Sequence, residues 1–205
     1  EYQLSDIPLN DLEPNFISKF DAFLKIEKGC AQNSSITRLK NLKKIIRIAL
    51  QNEWIKKDPF AYYRFKIEDT EPEFLTMDEI KIILDKEFTI KRVEQVRDIF
   101  IFCTFTGLAF SDVKELSPEH LIRDNKGELW IRKSCQKTNV MCNIPVLPVA
   151  ASILDKYKDM AECTGKLLPV LSNQRMNSYL KEIADICGIH KNLTTHVARH
   201  SYATS

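Results

Sequence analysis

The most informative stretch of this sequence is HVARHSYAT, residues 196–204. On an α-helix, His196 lies three residues before Arg199 and four before His200, so the three side chains share one face. The sequence therefore predicts two imidazoles and one guanidinium grouped on a short helix.

Residues directly upstream predict where this helix begins. Thr194 and Thr195 are good N-cap residues, and Gly188 can end the preceding helix. The three side chains then lie in the first turns of a new helix. Free backbone N–H groups and the positive end of the helix dipole favour a phosphate there.

Length and composition set the class of protein. The 205 residues leave room for one large domain or two small ones, and 44% hydrophobic with 28% charged residues is ordinary for a soluble globular protein. No apolar run approaches the ~18 residues of a membrane span. The 6 cysteines contain no CxxC pair, which predicts reduced thiols in an intracellular protein and no disulfide framework.

The charge is unevenly distributed. The formal net charge is only +2, yet residues 28–66 contain ten basic side chains and two acidic ones. A local basic surface is typical of nucleic-acid binding, although a solvated helix face is an alternative. The six cations expected to contact DNA are Lys40, Lys43, Lys44, Arg47, Lys56 and Lys57.

Hydrophobic periodicity predicts a small helical domain over residues 1–70. A first helix carries Phe16, Phe20, Phe23 and Leu24 at helical spacing and stops at Gly29. A second, amphipathic and basic helix is predicted to start at a serine cap in SSITRLK, residues 34–40. Its apolar stripe comprises Ile36, Leu39, Leu42, Ile46, Ala49 and Leu50. The polar segment KIEDTEPEF, residues 66–74, is the predicted linker.

The remaining residues, 73–205, predict a larger and mainly helical domain. Thr76 and Glu79 form a predicted capping box, and an apolar helix ends at Gly107. β-prone runs at 129–132 and 142–146 flank a polar connection that contains Lys137, which predicts a β-hairpin. Helices are predicted again at about 149–161 and 177–187. The expected fold class is mainly α with a small antiparallel sheet.

The order of four motifs resembles the tyrosine recombinase (phage integrase) family. IALQNEWIKKDPF (48–60) is similar to the end of the family's SAM-like core-binding domain, and FLTMDEIKIIL (74–84) to the start of its catalytic domain. TGLAFSDVKEL (106–116) and LTTHVARHSYAT (193–204) are similar to its first and second catalytic boxes.

The resemblance implies a function. Such enzymes perform site-specific DNA recombination and integration through a phosphotyrosine intermediate, with no metal and no other cofactor. The implied partners are double-stranded DNA and further copies of the chain, which would form a tetramer on the DNA. No membrane association is implied. The implied setting is the bacterial cytoplasm, in association with the nucleoid. Some integrases of conjugative and mobilizable transposons resemble this chain in lacking the first catalytic arginine of the family.

The resemblance also assigns roles to residues of this chain. Arg199 matches the second catalytic arginine, whose planar fork can hold two phosphoryl oxygens, and His196 matches the histidine beside it. Lys137 matches the general acid for the leaving 5′-oxygen, with nearby Lys133 as an alternative. Asp112 matches a supporting carboxylate, although it could simply cap a helix, and His200 is expected to support the site by packing.

Two departures from the family pattern limit these implications. Ala109 occupies the place of the first catalytic arginine, and Arg97 on the preceding helix is the candidate substitute. The family's nucleophilic tyrosine lies tens of residues beyond the second box, and Tyr202 is too close to Arg199 to fill that role. The 205 residues alone are therefore expected to lack cleavage activity.

Two other interpretations stay open at this stage. A non-catalytic DNA-binding protein derived from an integrase would tolerate Ala109. A zinc site could use Cys187, His190, His196 and His200. Zinc is disfavoured because Val197 replaces the glutamate of an HExxH motif and Arg199 would place a positive charge beside the metal.

Overall fold

A computed structural model of the chain describes residues 7–204. The chain divides into two compact units, Glu1–Glu71 and Pro72–Ser205. Each unit has its own buried hydrophobic cluster. The prediction of a mainly helical protein with a small antiparallel sheet is confirmed.

The first unit is a helical pair followed by an irregular segment. A 3₁₀ turn at Leu9–Asp11 precedes α1 (Pro14–Ile26) and α2 (Gln32–Gln51). The predicted stripe of α2 is confirmed, with four of its residues buried and Leu42 and Leu50 half-buried against the core. Phe60, from the irregular segment, completes this core.

On α1 the buried residues are Ile17 and Leu24, and Phe23 is 43% exposed. The Phe23 ring stacks on that of Phe20, which stacks on that of Phe16. The predicted serine cap of α2 is wrong. Ala31 occupies the N-cap position, and Ser35 lies inside the helix, where its buried hydroxyl donates to Asp21 Oδ1 at 2.5 Å.

The second unit surrounds one buried helix. Its elements are α3 (Met77–Asp85), α4 (Lys91–Thr106), α5 (Phe110–Lys114), β1 (Leu121–Arg123), β2 (Leu129–Ser134), β3 (Met141–Pro145), α6 (Pro148–Lys156), α7 (Lys158–Thr164), α8 (Asn173–Cys187) and α9 (Thr195–Thr204). α4 packs against α3, α6, α8 and α9, and it buries residues all around its circumference. The sheet is antiparallel in the order β1-β2-β3.

Local signals predict most of these boundaries. The Thr76–Glu79 capping box is present, and α4 ends at Gly107, whose φ of 66° suits glycine. The predicted hairpin is β2–β3, to which β1 adds a short unpredicted strand. The helix predicted at 149–161 is wrong in one respect, because the backbone turns at Tyr157 and separates α6 from α7.

The beginning of the second unit is bonded to its end. The Leu75 N–H donates to Ser201 Oγ at 2.8 Å, and both residues are buried. The Lys191 ammonium donates to Glu79 Oε2 at 2.6 Å and to the Phe74 carbonyl at 2.9 Å. These bonds hold α9 and the loop before it against the segment that leads into α3.

None of the helices within residues 7–204 has both the length and the apolar character that crossing a bilayer requires.

Candidate functional site

Helix α9 presents its three candidate site residues to solvent. His196, Arg199 and His200 are exposed, whereas Val197 and Ala198 are buried in the core of the second unit. The Thr194 hydroxyl accepts the Val197 N–H at 3.4 Å and so caps the helix as predicted. Neither His196 nor Arg199 forms a hydrogen bond or ion pair with another residue of the part of the chain that the structure describes. Both are therefore available to an external ligand.

Lys137 lies in the exposed β2–β3 turn. The turn is closed at its base, where the Cys135 N–H donates to the Val140 carbonyl at 2.9 Å and the Asn139 N–H donates to the Cys135 carbonyl at 2.8 Å. Asn139 has a φ of 55°, a left-handed conformation that asparagine tolerates better than most residues. The backbone of the turn is thus defined, while the Lys137 side chain remains exposed.

Asp112 connects α5 to this turn. Its side chain is buried, at 3% exposure, and its Oδ1 accepts the Gln136 N–H at 2.9 Å. The alternative that Asp112 caps α5 is wrong, because Ala109 is the N-cap residue and no side chain caps that helix. A buried carboxylate that binds the backbone beside Lys137 is a positioning group for the turn.

The charge of Arg199 acts on the same turn. A hydrogen bond with Cys142, burial and the negative charge of Asp112 raise the pKa of the Cys135 thiol to about 11, while the positive charge of Arg199 acts in the opposite direction. The charges of Asp112 on α5 and Arg199 on α9 therefore both act on the thiol at the base of the β2–β3 turn.

Close packing fixes α9 against the turn that precedes Ala109. The Tyr202 ring lies so close to Gly107 that a Cβ added to the glycine would stand 2.5 Å from its Cδ1. Ala109 itself offers only a methyl group at the start of α5. The residue in the place of the family's first arginine therefore supplies no charge.

Arg97, the candidate substitute for that missing arginine, is bonded to other residues of the second unit. Its Nε donates to Asp98 Oδ1 at 2.7 Å, and its Nη1 donates to the carbonyls of Leu84 and Lys86 at 2.8 and 3.2 Å. Its side chain is only 13% exposed. The guanidinium holds the α3–α4 connection and has little capacity left for a phosphate.

Lys133, the alternative to Lys137, lies in β2. Its ammonium lies 3.5 Å from His120 Nε2, and both residues line a cavity of about 530 Å³. Glu115 and Lys166, an ion pair at 3.0 Å, line the same cavity. Lys133 therefore has polar neighbours within the second unit.

The first unit carries a basic stripe, which we define as Lys40, Lys43, Lys44 and Arg47 on α2. The positions i, i+3, i+4 and i+7 place these four side chains on one face. Lys43 lies over the rings of Phe60 and Phe65, 5.5 and 5.4 Å from their centroids, and Lys40 lies over Phe65 at 5.9 Å. Neither these four cations nor exposed Lys56 and Lys57 form a salt bridge within residues 7–204.

No three histidine, cysteine, aspartate or glutamate side chains within residues 7–204 are grouped in a way that could hold a metal ion. Cys187, His190, His196 and His200 therefore do not meet as a zinc site in this structure.

Comparison with known proteins identifies the fold. Residues 1–67 match the family model of the phage integrase SAM-like domain. No curated protein matches the chain. The chain is similar to a lambda integrase dimer bound to a COC′ core site, with a TM-score of 0.78 and 21% identity over 98% of this chain and 72% of that one.

Two further solved structures have the same fold. The Tn1549 transposon integrase in complex with circular intermediate DNA gives a TM-score of 0.69 at 17% identity, over 98% of this chain and 75% of that one. The XerH site-specific recombinase bound to difH substrate gives a TM-score of 0.70 at 17% identity, over 96% of this chain and 60% of that one. The resemblance to tyrosine recombinases is therefore confirmed at the level of the fold.

Proposed function

We propose that this chain is the DNA-binding and phosphate-binding part of a tyrosine-type site-specific recombinase that integrates a mobile genetic element. The main support is that Asp112 binds the base of the turn that carries Lys137, and that the charge of Arg199 acts on Cys135 in the same turn. The fold shared with DNA-bound integrases adds independent support.

In this proposal each residue has a distinct task. Arg199 binds two non-bridging oxygens of the scissile phosphate, and His196 donates a further hydrogen bond from the same helix face. Lys137 protonates the departing 5′-oxygen as a tyrosine oxygen attacks phosphorus, so one P–O bond forms while another breaks. Asp112 touches no substrate and positions the turn, and His200 supports α9.

The attacking tyrosine is not one of the tyrosines described in the second unit. Tyr157 is buried and its hydroxyl donates to Asp98 Oδ2 at 2.8 Å. Tyr179 on α8 is partly buried against the core, and the Arg92 guanidinium lies 5.6 Å from its ring centroid. The Tyr202 ring is packed on Gly107. We therefore expect these 205 residues to bind double-stranded DNA without becoming covalently attached, and we expect catalysis from a tetramer of the complete natural protein.

The proposal is tested by trapping the complete natural protein on a nicked suicide substrate. Arg199→Ala should lower the yield of covalent protein–DNA complex at least ~100-fold, because the developing phosphoryl charge loses its bidentate partner. Arg199→Lys should retain part of the yield, since it keeps the charge but loses the fork. Exposed Arg175 on α8 provides the control, and Arg175→Ala should react like the wild type. A normal yield from Arg199→Ala would refute the site.

A second candidate function is DNA binding without catalysis. Ala109 favours it, since neither that residue nor Arg97 supplies the second guanidinium that a phosphoryl-transfer site of this family uses. The same trapping experiment distinguishes the two functions. Tight DNA binding with no covalent complex from the complete wild-type protein would support the binding protein over the enzyme.

A further inference from the structure

The β2–β3 hairpin brings two thiols into contact beside the candidate site. Cys135 follows β2 and Cys142 lies in β3, and their Sγ atoms are 2.7 Å apart. Neither forms a disulfide, and both are partly exposed. Within residues 7–204 no other two thiols lie within hydrogen-bonding distance of each other.

We propose that Cys135 and Cys142 form a dithiol that closes to an intramolecular disulfide on exchange with a low-molecular-weight disulfide such as oxidised glutathione. The geometry needs little change, because a disulfide bond of ~2.05 Å is only about 0.7 Å shorter than the observed separation. The hairpin register explains the contact. Cys142 is opposite Lys133, and Cys135 closes the turn against Val140, so the two thiols are diagonal neighbours on one face.

The exchange balances in two steps. The thiolate of one cysteine attacks a sulfur of oxidised glutathione, forms a mixed disulfide and releases one glutathione thiolate. The second cysteine then attacks the protein sulfur of this mixed disulfide and releases the second glutathione. The dithiol loses two electrons and two protons, and oxidised glutathione is reduced to two glutathione molecules.

The environment sets the conditions for this reaction. The hydrogen bond with Cys142 and burial raise the pKa of Cys135 to about 11, so this thiol stays protonated near neutral pH. Only the thiolate attacks, and we therefore expect the exchange to be slow at pH 7 and to accelerate as the pH rises. Burial also raises the pKa of Cys103, to about 12, and that thiol is fully enclosed, so it should not compete.

The consequence for the site rests on the proposed function. Gln136, which donates its N–H to Asp112, directly follows Cys135, and Lys137 is the next residue. A disulfide draws Cys135 toward β3 and fixes the base of the turn covalently. The lysine can then no longer adjust to the leaving oxygen, so oxidation should slow DNA cleavage about tenfold or more, which is part of the ~10²–10⁴-fold that a general acid contributes. Binding through the basic stripe should be unaffected.

Trypsin provides a sharp test because Lys137 lies between the two cysteines. Complete cleavage after Lys133, Lys137 and Lys156 places Cys135 in peptide 134–137 and Cys142 in peptide 138–156. The folded chain is incubated with oxidised glutathione, its remaining thiols are alkylated, and the non-reducing digest is analysed by mass spectrometry. A disulfide joins the two peptides, and reduction separates them.

The inference predicts the joined peptide in the wild type and in Cys163→Ser, which removes an exposed thiol outside the pair. It predicts that Cys135→Ser and Cys142→Ser each abolish the joined peptide, and that its rate of formation rises with pH. Glutathione adducts on Cys135 or Cys142 without the joined peptide would overturn the inference, as would reaction at Cys163 alone.

Cleavage by the complete natural protein, before and after oxidation, tests the regulatory consequence separately. The regulatory consequence is supported if oxidation stops cleavage by the wild type and a reductant restores it. The Cys142→Ser variant should keep its cleavage under the same oxidation. Undiminished cleavage by fully crosslinked protein overturns it. If the reduced wild type cleaves no DNA, the proposed function fails, and the peptide measurement still decides whether the disulfide forms.

Discussion

Asp98 shows how one carboxylate organises the second unit at the scale of a residue. It is 4% exposed, accepts Arg97 Nε through Oδ1, and accepts Lys156 Nζ and the Tyr157 hydroxyl through Oδ2, each at 2.7 to 2.8 Å. These bonds connect α4 to the junction between α6 and α7. Removal of the carboxylate leaves two cations and a hydroxyl without their shared acceptor.

We expect Asp98→Ala to lower the free energy of unfolding by about 3 kcal/mol, as the loss of one partner from a buried ion pair does. Urea unfolding followed by circular dichroism measures the change. The control is Glu115→Gln, which removes the carboxylate of the exposed ion pair with Lys166 and should leave the unfolding midpoint unchanged. Equal midpoints for Asp98→Ala and the wild type would show that the network adds no stability.

Sequence reasoning reaches the candidate site residues through the family resemblance but cannot supply their contacts. The bond from Asp112 to the backbone at Gln136 spans 24 residues, so no local pattern marks it. The bonds that hold Arg97 are also not visible in the sequence, since the carbonyls of Leu84 and Lys86 lie 13 and 11 residues away. The contact between Cys135 and Cys142 depends on hairpin register, which their spacing alone does not reveal.

At the scale of elements, the junction of α4, α5 and α9 depends on one glycine. Gly107 has a φ of 66°, and its missing side chain leaves space for the Tyr202 ring. Gly165, which ends α7, has a similar φ of 69°, but an added Cβ would meet nothing within 4 Å. The two glycines share the backbone requirement and differ in packing.

We expect Gly165→Ala to cost about 1–2 kcal/mol from the left-handed backbone alone. Gly107→Ala should cost measurably more, because the new methyl group displaces Tyr202. Thermal or urea unfolding of both variants isolates the packing contribution. Gly107→Ala combined with Tyr202→Ala should recover part of the difference, and equal stability of the two glycine variants would contradict this account of the junction.

The elements that could be predicted are those whose structure is determined by residues close together in the sequence. The apolar stripe of α2, the Thr76–Glu79 capping box and the β2–β3 hairpin follow from periodicity and turn chemistry within short windows. β1 could not be predicted from the sequence because it has only three residues and is a strand only through its pairing with β2. Neither glycine nor proline marks the break at Tyr157, where a tertiary hydrogen bond holds the side chain.

At the scale of the whole molecule, charge distribution is the property most relevant to a DNA partner. The net charge is near zero, but the basic stripe of α2 has no acidic partners among the described residues. Phosphate contacts release counterions, so binding through the stripe weakens as salt rises.

We expect Lys44→Gln with Arg47→Gln to reduce the slope of log K against log salt by roughly 0.9 for each phosphate that the variant no longer neutralises, measured by fluorescence anisotropy on duplex DNA. Exposed Lys19 on α1 serves as the control, and Lys19→Gln should leave the slope unchanged. Affinity that does not depend on salt, or an equal effect of the control, would refute the stripe as the DNA contact.

The hydrogen bond between Leu75 and Ser201 has a consequence for biosynthesis. Its partners are 126 residues apart, so the nascent second unit cannot complete its packing until nearly all of it has left the ribosome. At roughly 5–20 residues per second, the apolar α4 waits several seconds for α9 to cover it. Chaperones that bind exposed apolar segments therefore have a defined interval in which to act on this chain.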